Sequence, residues 1–170
     1  GLLALITFAS MALTVPAHAQ SSWSSGEAII DADLVSERAV VAPGDRFHIG
    51  LHQIMPDGWH TYWRNPGDNG LPVEIDWDLP EGVEVGEVIW PAPIPLPLTD
   101  TIMDYGYKGE LVLPMPVTIA EGFVGETIEF RAEATWLVCD TICVPEDREL
   151  SLTLPVGPQP EQDEAGYWYI

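Results

Sequence analysis

Positive charge is scarce in this chain. Six Lys and Arg stand against 27 Asp and Glu, a formal net charge of −21 over 170 residues. That balance argues against nucleic acid and against an anionic membrane surface as partners. It also keeps an exported domain soluble, although a salt-adapted source would give the same bias. Helical periodicity is missing as well, since no stretch holds a 3.6-residue apolar repeat over three turns. There is no internal repeat. No apolar run reaches the roughly 20 residues needed to span a bilayer. Cysteine is nearly absent, and the only two, Cys139 and Cys143, lie three residues apart.

What is present suffices for one domain. Hydrophobic residues make up 46% of the chain and include seven Trp, enough for a real core. Residues 1–19 read as a front-truncated signal peptide. Leu2–Val15 is apolar, no charge precedes Glu27, Pro16 breaks the run, and Ala17-His18-Ala19 fits a small-x-small cleavage pattern that would leave Gln20 first. Export places the cysteines in an oxidising compartment. Residues 20–156 form the expected domain. Residues 157–170 read as a Pro-, Gly- and acid-rich linker, or the start of a further module.

Short runs rich in Val, Ile, Thr and aromatics alternate with Gly, Pro, Asn and Asp. Strands are expected over Ala28–Val35, Arg46–Ile54, Trp59–Arg64, Val73–Leu79, Val83–Trp90, Gly109–Val117, Thr127–Val138 and Arg148–Leu154. Eight short strands at this spacing predict an all-β fold, an immunoglobulin-like two-sheet antiparallel sandwich. Alternation assigns faces. Phe47, Ile49 and Leu51 point one way, and His48, Gly50 and His52 the other. Ile128, Phe130, Ala132, Ala134, Trp136 and Val138 share a face, which puts Cys139 on the outer parity.

The cysteine pair carries the chemistry. Asp140-Thr141-Ile142 makes a three-residue connection between strand ends, so both cysteines sit at a hairpin tip, at a separation compatible with a disulfide. Closing a loop of about five residues contributes only about 2 kcal/mol, a poor staple. A pair this close opens and closes with little rearrangement, as thiol–disulfide exchange requires. Asp140, Glu146 and Asp147 are expected to disfavour a nearby thiolate, so the pair suits attack by a partner's better nucleophile. The competing reading is a binding or copper-handling module with a structural disulfide. His48, His52 and His60, with Met55, Met103 and Met115, could supply soft ligands, but they show no compact spacing, and the histidines read as scattered over the surface. No metal site is expected.

Pro91, Pro93, Pro95 and Pro97 occupy every second position, which excludes a central strand. The run is either a stiff arm projecting from the sandwich or a blunted edge. The Leu98–Asp104 stretch that follows has loop character yet carries Leu98, Ile102 and Met103, and apolar loop residues usually cover something.

Several segments together resemble the amino-terminal periplasmic domain of the DsbD-type protein-disulfide reductases, in the branch that includes the copper-sensitivity suppressor ScsB. They are Asp57-Gly58-Trp59-His60-Thr61-Tyr62-Trp63-Arg64-Asn65-Pro66-Gly67-Asp68, Gly70-Leu71-Pro72, Trp77-Asp78-Leu79-Pro80-Glu81-Gly82, Tyr105-Gly106-Tyr107-Lys108-Gly109-Glu110-Leu111-Val112-Leu113-Pro114 and the cysteine segment. The resemblance runs from about Glu27 to Leu154. It implies a soluble, periplasmic immunoglobulin-like domain, tethered to a membrane portion of a parent protein in the bacterial inner membrane. Such a domain accepts electrons from the thioredoxin-like domain of the same protein and passes them to periplasmic thioredoxin-fold disulfide-exchange proteins, with no cofactor. Family roles in copper tolerance and cytochrome c biogenesis come with it. By the same resemblance Cys143 forms the mixed disulfide and Cys139 resolves it. A cap loop at about Leu96–Tyr105, including Leu98, Ile102, Met103 and Tyr105, covers the pair. His60 and Tyr62 stand where the family has an aromatic-x-aromatic pair, with Asp140 beside them. His60 replaces a Tyr, and three residues rather than five separate the cysteines.

Overall fold

The computed structural model describes residues 28–166, and the expected signal peptide lies outside them. Every element among these residues is a β-strand. In chain order they are β1 (Asp31–Ser36), β2 (Arg38–Val40), β3 (Arg46–Ile54), β4 (His60–Gly67), β5 (Glu74–Asp78), β6 (Val83–Val85), β7 (Ile94–Pro97), β8 (Met103–Lys108), β9 (Glu110–Ile119), β10 (Thr127–Cys139), β11 (Cys143–Pro155) and β12 (Glu161–Gln162). Among the described residues no helix is long and apolar enough to cross a membrane.

Two principal sheets face each other. One runs β1-β3-β9-β6. The other runs β11-β10-β4-β8-β7, with β5 also on β10. All strand pairs are antiparallel, and the fold is the immunoglobulin-like sandwich that the strand spacing predicts. The core lies between the sheets. Phe47, Ile49, Leu51, Leu113, Met115 and Val117 meet Ile128, Phe130, Ala134, Trp136 and Val138 there, all buried. Phe47 and Phe130 make an edge-to-face contact at 6.3 Å between centroids. Truncating Phe130 to Ala would cost about 3–5 kcal/mol through lost burial and the cavity left behind.

Several boundaries differ from the sequence reading. The strand expected over Val83–Trp90 ends at Val85, although the amides of Gly86 and Ile89 still bond to Pro116 and Pro114 on β9. The last long strand begins at Cys143 rather than Arg148. Pro145 is tolerated because β11 is a sheet edge, where a missing amide hydrogen breaks no ladder. The proline run resolves to the edge alternative, since Ile94–Pro97 pairs with β8 at the end of the sheet. Met103–Lys108, not among the expected strands, is a strand between β7 and β4, so the expected cap is a β7–β8 hairpin whose turn lies at residues 98–102. Gly106 makes this pairing possible: a Cβ there would sit 1.9 Å from the Thr61 carbonyl oxygen. Glu161–Gln162, expected as linker, pairs with β2. His52 is buried rather than a surface histidine, with Nδ1 2.9 Å from Asp33 and Nε2 2.9 Å from Glu110 on the flanking strands.

Candidate functional site

Strand register gathers the site on the outer face of the second sheet. Cys139 is the last residue of β10 and lies opposite Cys143, the first of β11, on one side and His60 of β4 on the other. His60 in turn faces Lys108 on β8, and Tyr62 faces Gly106. On β7, Ile94 faces Gly106 and Leu96 faces Asp104. Directly opposed residues of paired strands point to the same face. Cys139, His60, Tyr62, Asp104, Lys108, Ile94 and Leu96 therefore share one surface. They line an open cleft of about 540 Å³ together with Asn69, Pro95, Leu98 and the Asp140–Cys143 connection.

Cys139 and Cys143 are joined by a disulfide, with Cα atoms 4.1 Å apart. The two sulfurs are not equivalent. Cys139 is 2% exposed, whereas Cys143 is exposed. The outer parity of Cys139 would normally mean solvent. It is buried because β4, β8 and β7 extend the sheet beside it and carry Tyr62 and Leu96, both buried yet outside the main core.

Tyr62 makes a polar approach to the Cys143 sulfur. Its hydroxyl lies 3.9 Å from Cys143 Sγ and 3.3 Å from His60 Nε2. The two rings meet edge to face at 5.3 Å. Gly70 backs the tyrosine, and a Cβ at that position would come within 2.3 Å of the ring. Burial, reinforced by Asp104, raises the Tyr62 pKa above its ordinary value of 10.0. Burial and then Lys108 lower His60 below 6.5, with Asp104 and Asp140 partly opposing them. Asp104 is itself 3% exposed and accepts the Asn69 amide at 2.8 Å.

The candidate residues separate by strand parity. His60, Tyr62, Asp140 and both cysteines come together, and Leu98 joins them from the hairpin turn. Ile102, Met103 and Tyr105 do not line the cleft. On β8 the alternation that brings Asp104, Gly106 and Lys108 to the site sends Met103 and Tyr105 to the other face. The apolar wall comes instead from Ile94, Pro95, Leu96 and Pro97. Of the three acidic residues expected near the sulfurs, only Asp140 lines the cleft. Glu146 is buried with the Trp136 indole N–H at 3.1 Å, and Asp147 accepts from the Thr135 hydroxyl. Sequence reading did not single out Asp104, Lys108 or Leu96, although Leu96 and Asp104 fall within the expected cap loop. The alternation from Asp104 to Lys108 would have found those two, had Met103–Lys108 been taken as a strand. Among the described residues, no group of three His, Cys, Asp or Glu side chains is placed to hold a metal ion.

This arrangement joins an exposed cysteine to a buried one, with a hydroxyl beside the exposed residue's sulfur. Comparisons with known proteins bear on the fold and the family. No curated protein matches the chain. The N-terminal periplasmic domain of ScsB from Proteus mirabilis superposes with a TM-score of 0.52 at 23% identity, over 82% of this chain and 49% of that one. The chain thus spans about half the length of that domain, and the likeness concerns the fold. The N-terminal domain of Neisseria meningitidis DsbD in the reduced form aligns at 16% identity and a TM-score of 0.36, over 77% of this chain and 90% of that one. The model of the family described as "Thiol:disulfide interchange protein DsbD, N-terminal" matches residues 31–155, so the chain belongs to the DsbD N-terminal domain family.

Proposed function

We propose that this chain is a periplasmic thiol–disulfide exchange domain, acting as part of a protein-disulfide reductase. It takes electrons from a membrane-linked thioredoxin-like donor in the same protein and delivers them to periplasmic thioredoxin-fold disulfide-exchange proteins. The observation that carries this reading is the asymmetric disulfide at the end of the β10–β11 hairpin, with Cys143 exposed and Cys139 buried. Cys143 is the exposed member of the pair, so a donor thiolate attacks its Sγ. Attack forms a mixed disulfide and expels Cys139 as a thiolate, which takes a proton. The donor's second thiolate then attacks its own sulfur in the mixed disulfide, and Cys143 leaves. The donor ends oxidised and the domain holds two thiols. Passing electrons on reverses the order, with Cys143 attacking the acceptor's disulfide and Cys139 resolving the product. Electrons travel in the thiols, so no cofactor enters. Leu98 and the β7 residues supply a rim that a partner must displace or pack against.

Trapping tests these roles. A Cys139→Ser variant, unable to resolve, should accumulate a covalent complex with a thioredoxin-like partner, while Cys143→Ser should not. Non-reducing electrophoresis reads the complex. Trapping by Cys143→Ser alone would reverse the roles, and trapping by neither variant would leave the pair a structural disulfide.

A further inference from the structure

The Tyr62 hydroxyl is a buried donor with one proton and two neighbours able to accept it. Tyr62 is 4% exposed, and its oxygen stands between His60 Nε2 at 3.3 Å and Cys143 Sγ at 3.9 Å. Buried phenol hydroxyls keep a hydrogen-bond partner, and here either direction of donation satisfies the group. We propose that Tyr62 and His60 form a proton relay for Cys143, in which His60 acts through the Tyr62 hydroxyl. This rests on the exchange reading above and deepens it, because Cys143 must lose a proton to attack an acceptor and regain one after leaving a donor.

The proton steps balance. In the resting thiol state the Cys143 S–H points to the Tyr62 oxygen, and the Tyr62 O–H points to the unprotonated Nε2 of His60. Transfer moves the thiol proton to Tyr62 and the former Tyr62 proton to His60. The products are a Cys143 thiolate, an intact phenol whose O–H now points to sulfur, and an imidazolium. Running backward, the same chain reprotonates Cys143. No electrons move in this step. The electrostatics suit each member. Tyr62, shifted upward by burial and Asp104, carries the proton without remaining ionised. His60 is shifted downward by burial and Lys108, which leaves Nε2 unprotonated to accept but makes the imidazolium a short-lived product. Lys108 faces His60 from β8, Asp104 also from β8, and Asp140 from the cysteine connection; Asp104 faces Tyr62 as well.

A purely structural role for the stacked rings makes a different prediction, and the pH profile of Cys143 separates the two. The experiment uses the 170-residue chain carrying Cys139→Ala, so that Cys143 is the only thiol, and follows its alkylation by iodoacetamide from pH 4.5 to 10. With a relay, one proton is shared between Cys143 and His60 over the intermediate pH range. The thiolate fraction there is set by their internal equilibrium rather than by pH, so the logarithm of the rate flattens into a shoulder. At pH 6 the rate should exceed that of the His60→Gln version on the order of tenfold, the one-unit shift that an opposite charge near a thiolate provides. His60→Tyr retains a stacking ring, and Tyr62→Phe retains the packed ring without the hydroxyl. Both should give a single titration with no shoulder. A profile of unit slope in the His60-containing protein, matching all three variants, would overturn the relay. A shoulder surviving in Tyr62→Phe would overturn the route through Tyr62. Reduction of the unsubstituted disulfide by thioredoxin tests the exchange reading separately. A disulfide that thioredoxin cannot reduce removes that reading, whereas a reducible one with a shoulderless profile removes the relay alone.

Discussion

Opening the Cys139–Cys143 disulfide should leave this domain folded. The bridge closes a loop of five residues, counting both cysteines, for which the chain-entropy model gives about 2 kcal/mol. That figure is an upper bound here. The same two strands are already aligned by an unbroken register from Thr127 opposite Pro155 to Cys139 opposite Cys143, so the ladder holds the loop closed without the bond. The core side chains of β10 also contact the other sheet independently of the sulfurs. For the roughly 140 described residues, 1 kcal/mol corresponds to about 3–4 °C in Tm, so full reduction should lower Tm by at most about 7 °C. Thermal unfolding followed by circular dichroism, with and without reductant, measures this, and a Cys139→Ala/Cys143→Ala protein supplies the same answer free of reductant. The unfolding transition should stay cooperative in both. A fall beyond about 15 °C, or loss of the cooperative transition, would refute the reasoning, because it would make the bridge a staple that an exchange cycle could not afford to open.

Replacing residues 98–102 of the β7–β8 hairpin with a two-residue turn should speed alkylation of reduced Cys143, since it removes Leu98 from the cleft wall; an unchanged rate would count against a shielding role. Tyr107 gives a pH prediction. Burial pushes its pKa up to about 12, and its hydroxyl donates to the Pro91 carbonyl at 2.8 Å. Its ordinary value is 10.0, so between pH 10 and 12 the unfolded chain sheds a proton that the folded chain keeps. The stability from this group is complete below pH 10 and is lost as pH rises through that window. Urea midpoints across pH 9–11.5 should therefore fall less steeply in Tyr107→Phe, and parallel curves would contradict the assignment.

Legibility from the sequence followed the strength of the local pattern. The alternation in Thr127–Cys139 was strong enough to give the strand, its buried face and its run into the cysteines, because one side of that strand meets the core and the other meets water. The cysteine connection was legible from spacing alone. By contrast, Ile94–Pro97 and Met103–Lys108 carry too much Pro, Gly and Asp to look like strands. They are strands because an edge position tolerates proline and because Gly106 lets β8 approach β4 closely.

That difference decides what each level contributed to the site. Composition, turn chemistry and period-2 alternation determined an all-β sandwich with a cysteine pair at a hairpin end and His60 and Tyr62 on one strand face. These are local properties, fixed by neighbours a few residues away along the chain. Only the tertiary structure decided which residues shelter Cys139, since they arrive from strands more than 30 positions distant in sequence. It likewise decided that the Tyr62 hydroxyl lies between His60 and Cys143 Sγ, and that Asp104, Lys108 and Leu96 belong to the cleft while Met103 and Tyr105 do not. Register between strands sets those facts, and register depends on how the sheets close over the core, which no local stretch of sequence encodes.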